Sequence, residues 1–354
     1  MVFSDNRQKI PLNVLRPKKV ISICAILTLL LMAIVLTSVM VGSVKLDPRR
    51  SLSILVESFW GRPGEGTETE AAILLSIRLP RVLLAAGVGA GLSLSGAIFQ
   101  ALLRNPLADP YILGVSSGSA VGAILAILLG WGSLSFGLPL ASFAGAVLTI
   151  GLVFQFGKQD GRIHPNTLLL AGVITGSFLS ALIMFFLSIS QREELRTIVF
   201  WLMGDFSFTH PRSPLIILPY LAIGFFILYR RSRQLNLILS GEESALQLGV
   251  EVERLKVISY LCASLITAAS VSLCGLIGFV GLIIPHATRL LFGPDHRLLL
   301  PASGLIGASY LILCDTLART ILSPVELPVG VITAAFGGPF FLYLLRRSVG
   351  VRPL

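Results

Sequence analysis

The sequence has 354 residues, of which 54% are hydrophobic and 13% charged, and its mean hydropathy is +0.86. Soluble domains carry about 25% charged residues, so an ordinary soluble enzyme and a disordered chain are both excluded. The net charge of +10 reads here as loop charge that orients helices in a bilayer, not as a footprint for nucleic acid.

A helix that crosses the hydrocarbon core needs about 20 mainly apolar residues. The first such run, Val20–Val44, follows Arg16-Pro17-Lys18-Lys19. It is too long for a cleaved signal peptide and reads as a retained span. Further runs are Leu79–Leu103, Pro110–Gly130, Leu134–Phe156, Asn166–Ser190, Pro214–Tyr229, Leu298–Arg319 and Pro328–Leu345. Val257–Phe292 would make a single helix of about 54 Å, so we expect it to fold back near Ser272–Gly275 as two spans. The expected fold is an all-α polytopic membrane protein of ten transmembrane helices. With both termini inside, the inner segments hold 18 of the 28 Lys and Arg, which predicts cytoplasmic ends. The expected organisation is a tail at 1–19, one transmembrane domain at 20–347 with an outer loop at 45–78 and an inner loop at 230–256, and a tail at 348–354.

Small residues crowd the spans, as at Gly87, Gly89, Gly91, Ser93, Ser95 and Gly96, and at Gly114, Gly118 and Gly122. This spacing lets helix backbones approach closely in lipid; lining a wide pathway is the other reading. Cys24, Cys262, Cys274 and Cys314 lie in apolar runs without zinc or disulfide spacing. The four histidines show no metal-ligand spacing, and no G-x-x-x-x-G-K-[ST] loop occurs. We therefore expect no catalytic residue, no metal and no cofactor on this chain. Asp315 is the one acid clearly inside a span, and Arg319 follows at the i+4 spacing that pairs on a helix face. A structural pair is favoured over a proton relay, which leaves little equipment for ion coupling.

The inner loop reads as two short amphipathic helices joined at Ser240-Gly241. One carries Leu235, Leu237 and Leu239; the next carries Glu242 and Glu243 in its first turn, then Ala245, Leu246 and Leu248 before Gly249. Such a piece lies in the lipid interface or docks into a partner's groove. On the outer side, Arg78-Leu79-Pro80-Arg81 and Arg319 should form an exposed cluster, suited to lipid headgroups or to carboxylates on a partner protein.

These segments resemble the FecCD-type permeases, membrane subunits of type II ABC importers for cobalamin, haem and ferric siderophores. The likeness runs from about Arg78 to Arg347. It rests on Arg78-Leu79-Pro80-Arg81, Asn105-Pro106-Leu107-Ala108-Asp109-Pro110, the Gly241–Val250 loop, Gly278–His286, Asp295-His296-Arg297 and Glu326-Leu327-Pro328-Val329-Gly330. The resemblance implies a homodimer in a bacterial or archaeal cytoplasmic membrane, two ABC ATPase subunits that bind the ATP and Mg, and a periplasmic or lipid-anchored substrate-binding protein, with no nucleic acid. Carried over by motif, Arg78, Arg81 and Arg319 would dock the binding protein. Leu235, Leu237, Gly241, Glu242, Glu243, Ala245, Leu248 and Gly249 would couple to the ATPase, and Asn105, Pro106, Leu107, Pro165 and Asn166 would form the cytoplasmic gate. Within the family's range, ferric siderophores are the expected cargo, with cobalamin next. The alternatives are an ion-coupled secondary transporter and a non-transporting membrane scaffold.

Overall fold

The computed structural model describes residues 16–44, 46–59, 68–131, 136–159, 162–207 and 209–349. Most of the expected N-terminal tail, part of the 45–78 loop, the start of the Leu134–Phe156 run and residues 350–354 lie outside the described residues. In chain order come α1 (Pro17–Met40), α2 (Pro48–Phe59), α3 (Glu68–Ala72) and a π-helical turn (Ile73–Arg78) that runs into α4 (Leu79–Leu102). A 3-10 turn (Pro110–Leu113) then leads into α5 (Val115–Leu128), followed by α6 (Gly137–Phe156). A small hairpin of β1 (Lys158–Gln159) and β2 (Arg162–Ile163) precedes α7 (Pro165–Ile189), α8 (Arg192–Met203) and α9 (Ser213–Arg230). The loop helices are α10 (Ser232–Leu239) and α11 (Glu242–Gln247), and α12 (Val252–Cys274), α13 (Val280–Phe292), α14 (His296–Thr320) and α15 (Val329–Val349) complete the chain.

Among the described residues, seven helices are long and apolar enough to cross a membrane: α1, the continuous α3–α4 helix, α6, α7, α9, α12 and α14. Shorter apolar helices, α5, α13 and the apolar part of α15, stand where the other three spans are expected. Local chemistry explains the shortness of α5 and α13, whereas α15 itself runs for 21 residues. The expected Pro110–Gly130 run is cut by Gly114, whose left-handed φ of 73° ends the 3-10 turn and starts α5. The Val257–Phe292 run does fold back where expected: α12 stops at Cys274, Gly275 adopts φ 74°, and an irregular stretch leads to α13. Two connections expected as loops carry amphipathic helices, because charged faces hide α2 and α8 from a search for apolar runs. α8 opens with a capping box between Gln191 and Glu194.

α4 lies at the centre, buried on nearly every face against α14, α12, α13 and α9. Its glycines set those approaches. A Cβ at Gly89 would collide with the Gly307 carbonyl of α14, and one at Gly96 with the Gly281 carbonyl of α13. α5 and α6 interlock in the same way, Gly118 and Gly122 facing Gly145 and Ala141. At these positions the small residues serve close packing, which replaces the hydrophobic drive that lipid cannot supply. Two apolar cores result. One surrounds Val82, Leu311, Ala318 and Val329 at the end that carries the arginines; the other surrounds Leu102, Ile163, Leu235 and Tyr260 at the end that carries α10 and α11. We refer to these as the arginine end and the loop end.

Candidate functional site

At the arginine end the structure corrects an expectation. Arg78, Arg81 and Arg319 are not an exposed cluster: they are 5%, 6% and 3% accessible, and Asp315 is fully buried between the latter two. Arg81 donates from Nε to Asp315 Oδ1 at 2.9 Å, and Arg319 from Nε to Asp315 Oδ2 at 3.0 Å. The expected i,i+4 pair is present, and Arg81 closes it from the start of α4. Arg81 also reaches Glu326, on the segment before α15, at 2.7 Å. Glu326 is partly buried, which opposes its charge, but Arg81 outweighs that and holds its carboxyl below the usual range. Arg319 further donates to Ser38 Oγ at 3.0 Å and to the Val41 carbonyl at 3.2 Å. Arg78 donates to the carbonyls of Val39, Met40 and Val44, a cation at the C-terminal end of α1 where the helix dipole favours it. The physical reason for burial is that Asp315 cannot sit at membrane depth uncompensated. The cluster is a clasp over α1, α4, α14 and the 321–328 segment.

At the loop end the expected pair of short helices is found, with the break at Ser240-Gly241. One face of the pair belongs to the chain's own core. Leu235, Ile238 and Ala245 are buried and Leu237 packs against them. Leu235 and Ala245, expected to face a partner, therefore hold α10 and α11 to the bundle. The other face is free: Leu239, Leu246 and Leu248 are 40%, 58% and 67% accessible, and Glu243 is exposed. Gly249 adopts φ 81°, with nothing nearby. A second tie fixes α10. Asn236 donates to Asp295 Oδ1 at 2.9 Å and accepts from the His296 backbone N–H at 2.9 Å, at the start of α14. Burial works against the Asp295 charge, but hydrogen bonds from Arg297 and Asn236 outweigh it and hold the carboxyl down to about 2.

The two expected gate turns also lie at this end. Asn105 Oδ1 accepts from the Leu107 backbone N–H at 2.9 Å, closing a tight turn with Pro106 and Leu107 exposed. Pro165 occupies the first turn of α7, where its missing N–H costs nothing, and Asn166 is exposed beside it. Leu102, Leu103, Pro165, Lys256 and Tyr260 line one small crevice, so the two turns share a neighbourhood. Asp109 caps the 3-10 turn by accepting from the Tyr111 N–H at 2.8 Å, and burial lifts its carboxyl to about 6 against that bond. Sequence reasoning missed Lys256, Glu253, Arg104 and Ile163, which join these parts. Among the described residues no three His, Cys, Asp or Glu side chains gather as a metal-ligand group.

A helical membrane bundle with a buried ionic clasp at one end and an amphipathic helix pair presented at the other is the architecture of a membrane transport subunit. Residues 29–347 match the FecCD transport family, and the chain belongs to it. The chain is 47% identical over 279 residues, 79% of its length and 74% of the relative's, to a cobalamin import system permease protein, BtuC, of Halobacterium salinarum. It is 45% identical over 303 residues, 84% of its length and 86% of the relative's, to an uncharacterized ABC transporter permease protein, YvrB, of Bacillus subtilis. Among solved structures it resembles a protein assigned as a metal-chelate type ABC transporter, in an inward-facing conformation. The TM-score is 0.79 and the identity 37%, over 92% of this chain and 99% of the other. The chain is a multi-pass membrane permease of the ABC transporter class.

Proposed function

We propose that this chain is the permease subunit of an ATP-driven importer that carries a metal-chelate nutrient across the cytoplasmic membrane. The observation that carries the reading is the α10–α11 pair. It is anchored to the bundle by Leu235, Ile238 and Ala245 and presents Glu243, Leu246 and Leu248 outward, as a surface that receives force from a partner. In this reading two ABC ATPase subunits engage that surface, supply ATP and Mg, and place the loop end and both termini in the cytoplasm. The ten-span arrangement counts α5 and α13 as spans shortened by their turns, and α15 as the last span. A second copy of the chain covers the apolar face of α7, where Leu170, Ile174, Phe178 and Phe185 are exposed. That face runs directly from the gate turn at Pro165-Asn166, so a pathway between copies would meet the gates at Asn105–Leu107 and Pro165-Asn166.

A substrate-binding protein docks at the arginine end. Arg78, Arg81 and Arg319 are committed to internal partners, and Asp315, Glu326 and, through Ser207, Asp205 balance them in charge. The clasp would therefore serve docking by holding this end in one shape, not by offering free arginines to the partner. Cobalamin is the cargo to try first, ahead of ferric siderophores and haem, because relatives at 47% and 40% identity are named as cobalamin and vitamin B12 import permeases. The test is stimulation of ATP hydrolysis by the binding protein in the assembled complex. Stimulation by the cobalamin-loaded form supports the full reading. Stimulation only by a siderophore- or haem-loaded form moves the cargo, and none by any loaded form contradicts the importer.

A further inference from the structure

We infer that Glu242 is a positioning residue that transmits movement of the α11 helix to both gate turns through a chain of ionic contacts. The inference rests on the importer reading and names a residue within it. Lys256, on the first turns of α12, is 4% accessible, so its charge is held by its partners rather than by water. It donates to Glu242 Oε2 at 2.7 Å, to Glu253 Oε1 at 3.2 Å and to the Ile163 carbonyl at 3.1 Å. Glu253 Oε2 in turn accepts from the Ile163 N–H at 2.8 Å. Both backbone polar groups of Ile163 are thus gripped by α12, two residues before Pro165 begins the second gate turn. The other carboxylate oxygen of Glu242 meets Arg104 at 3.1 Å. Arg104 stands at the end of α4, immediately before Asn105 of the first gate turn, and holds a left-handed φ of 47°. That conformation is unfavourable for a residue with a Cβ and persists only where its surroundings hold it.

One carboxylate therefore joins three pieces of chain far apart in sequence: the presented helix, the first gate turn and, through Lys256, the second. On the side of α11 that faces the hairpin, other routes between them are soft. Ala245 ties one side of α11 to the core, but on the side facing the hairpin a cavity of about 250 Å³, bounded by Arg162, His164, Leu246 and Val252, leaves the gap unfilled by apolar packing. The covalent route passes through Gly249, which has no side chain to brace it. Two cations and two carboxylates balance in charge; burial of Lys256 strengthens its contacts, whereas Arg104 is exposed and its pair with Glu242 is the weaker link. The buried cation makes the arrangement two-sided: on releasing Glu242, Lys256 loses its shorter ion pair and is left with Glu253 at 3.2 Å and the Ile163 carbonyl.

The experiment uses the complete transporter of permease, ATPase and binding protein in proteoliposomes. Glu242→Gln and Lys256→Met are each expected to keep the ATPase bound while cargo moved per ATP hydrolysed falls about tenfold, within the usual range of coupling between sites. The double variant should be no worse than either single one, because both break the same link. Glu242→Asp should recover part of the loss. Glu251→Gln, which removes the same charge from an exposed pair with Arg254, should leave the ratio unchanged. Hydrogen exchange gives a readout free of transport: nucleotide should alter exchange in both 242–248 and 158–164 of the wild type, and in Glu242→Gln only in 242–248. The relay is overturned by a normal coupling ratio in either single variant, by additive losses in the double, by loss of the ATPase from Glu242→Gln, or by an undiminished response of 158–164. A wild type that takes up cargo without ATP fails in its own arm, which separates failure of the importer reading from failure of the relay.

Discussion

The two ends of the bundle each bury cations, and they use them differently. At the arginine end, Arg81, Arg319 and Asp315 lie on long, packed helices and bind α1, α4 and α14 to one another. At the loop end, Lys256 bonds to Glu242, on a six-residue helix with one face exposed, and to a two-stranded hairpin beside a cavity. The same chemistry makes a static clasp where every partner is fixed by packing, and a linkage where the partners can move. Breaking the first should therefore cost stability, and breaking the second should cost function.

The largest expected effect is at the clasp. Asp315→Ala leaves two buried guanidinium groups without their shared anion, and a charge stranded in this way costs about 3–5 kcal/mol. Thermal unfolding in detergent should show a large drop in the melting midpoint, whereas an unchanged midpoint would remove the clasp from its role. Gly249→Pro should act on the other end. Proline fixes φ near −65°, against the 81° found here, and removes the N–H that Gly249 donates to Leu246. Hydrolysis per transported cargo should rise about tenfold, with the melting midpoint moving little; matched losses in both would blur the contrast between the ends. Leu248→Asp places a charge on the exposed face of the loop and should weaken ATPase binding about fivefold, or ~1 kcal/mol, as read by titration of the ATPase into the permease.

The smallest effect is a pH dependence. The Asp109 carboxyl is raised in the folded protein to about 6, from about 3.9 unfolded. The folded state therefore binds the proton more tightly, and stability from this group falls as pH rises from about 4 to about 6 and is level above. Asp109→Asn should flatten that slope in melting midpoints across the window. An unchanged slope would assign the pH dependence elsewhere.

Much of this arrangement was legible in the sequence because its signals are local. Apolar run lengths located the seven helices long enough to cross a membrane and the three shorter apolar ones, a 36-residue run had to fold back, and a change of pattern at Ser240-Gly241 separated two short helices. The i,i+4 spacing of Asp315 and Arg319 gave a pair that the structure contains. The rest depends on tertiary placement. Arg81 meets Asp315 across 234 positions, so no spacing rule could show that three arginines expected at the surface would be buried. Leu235 and Ala245 carry the same amphipathic signature whether they face a partner or the chain's own core, and only packing distinguishes the two. Nothing in the sequence sets Lys256 apart from other basic residues; only the fold places the Ile163 hairpin and Glu242 around it. α2 and α8 went unseen because apolar run length is blind to helices with a charged face.

In the proposed importer this chain is a conduit whose work is supplied by a separate ATPase acting on α10 and α11. The most direct measurement is cargo uptake into proteoliposomes with and without ATP, in the absence and presence of an imposed ion gradient. Uptake by such a conduit should occur only when the ATPase, the binding protein and ATP are all present, whatever the gradient. Accumulation by the permease alone on imposing a proton or sodium gradient would contradict it.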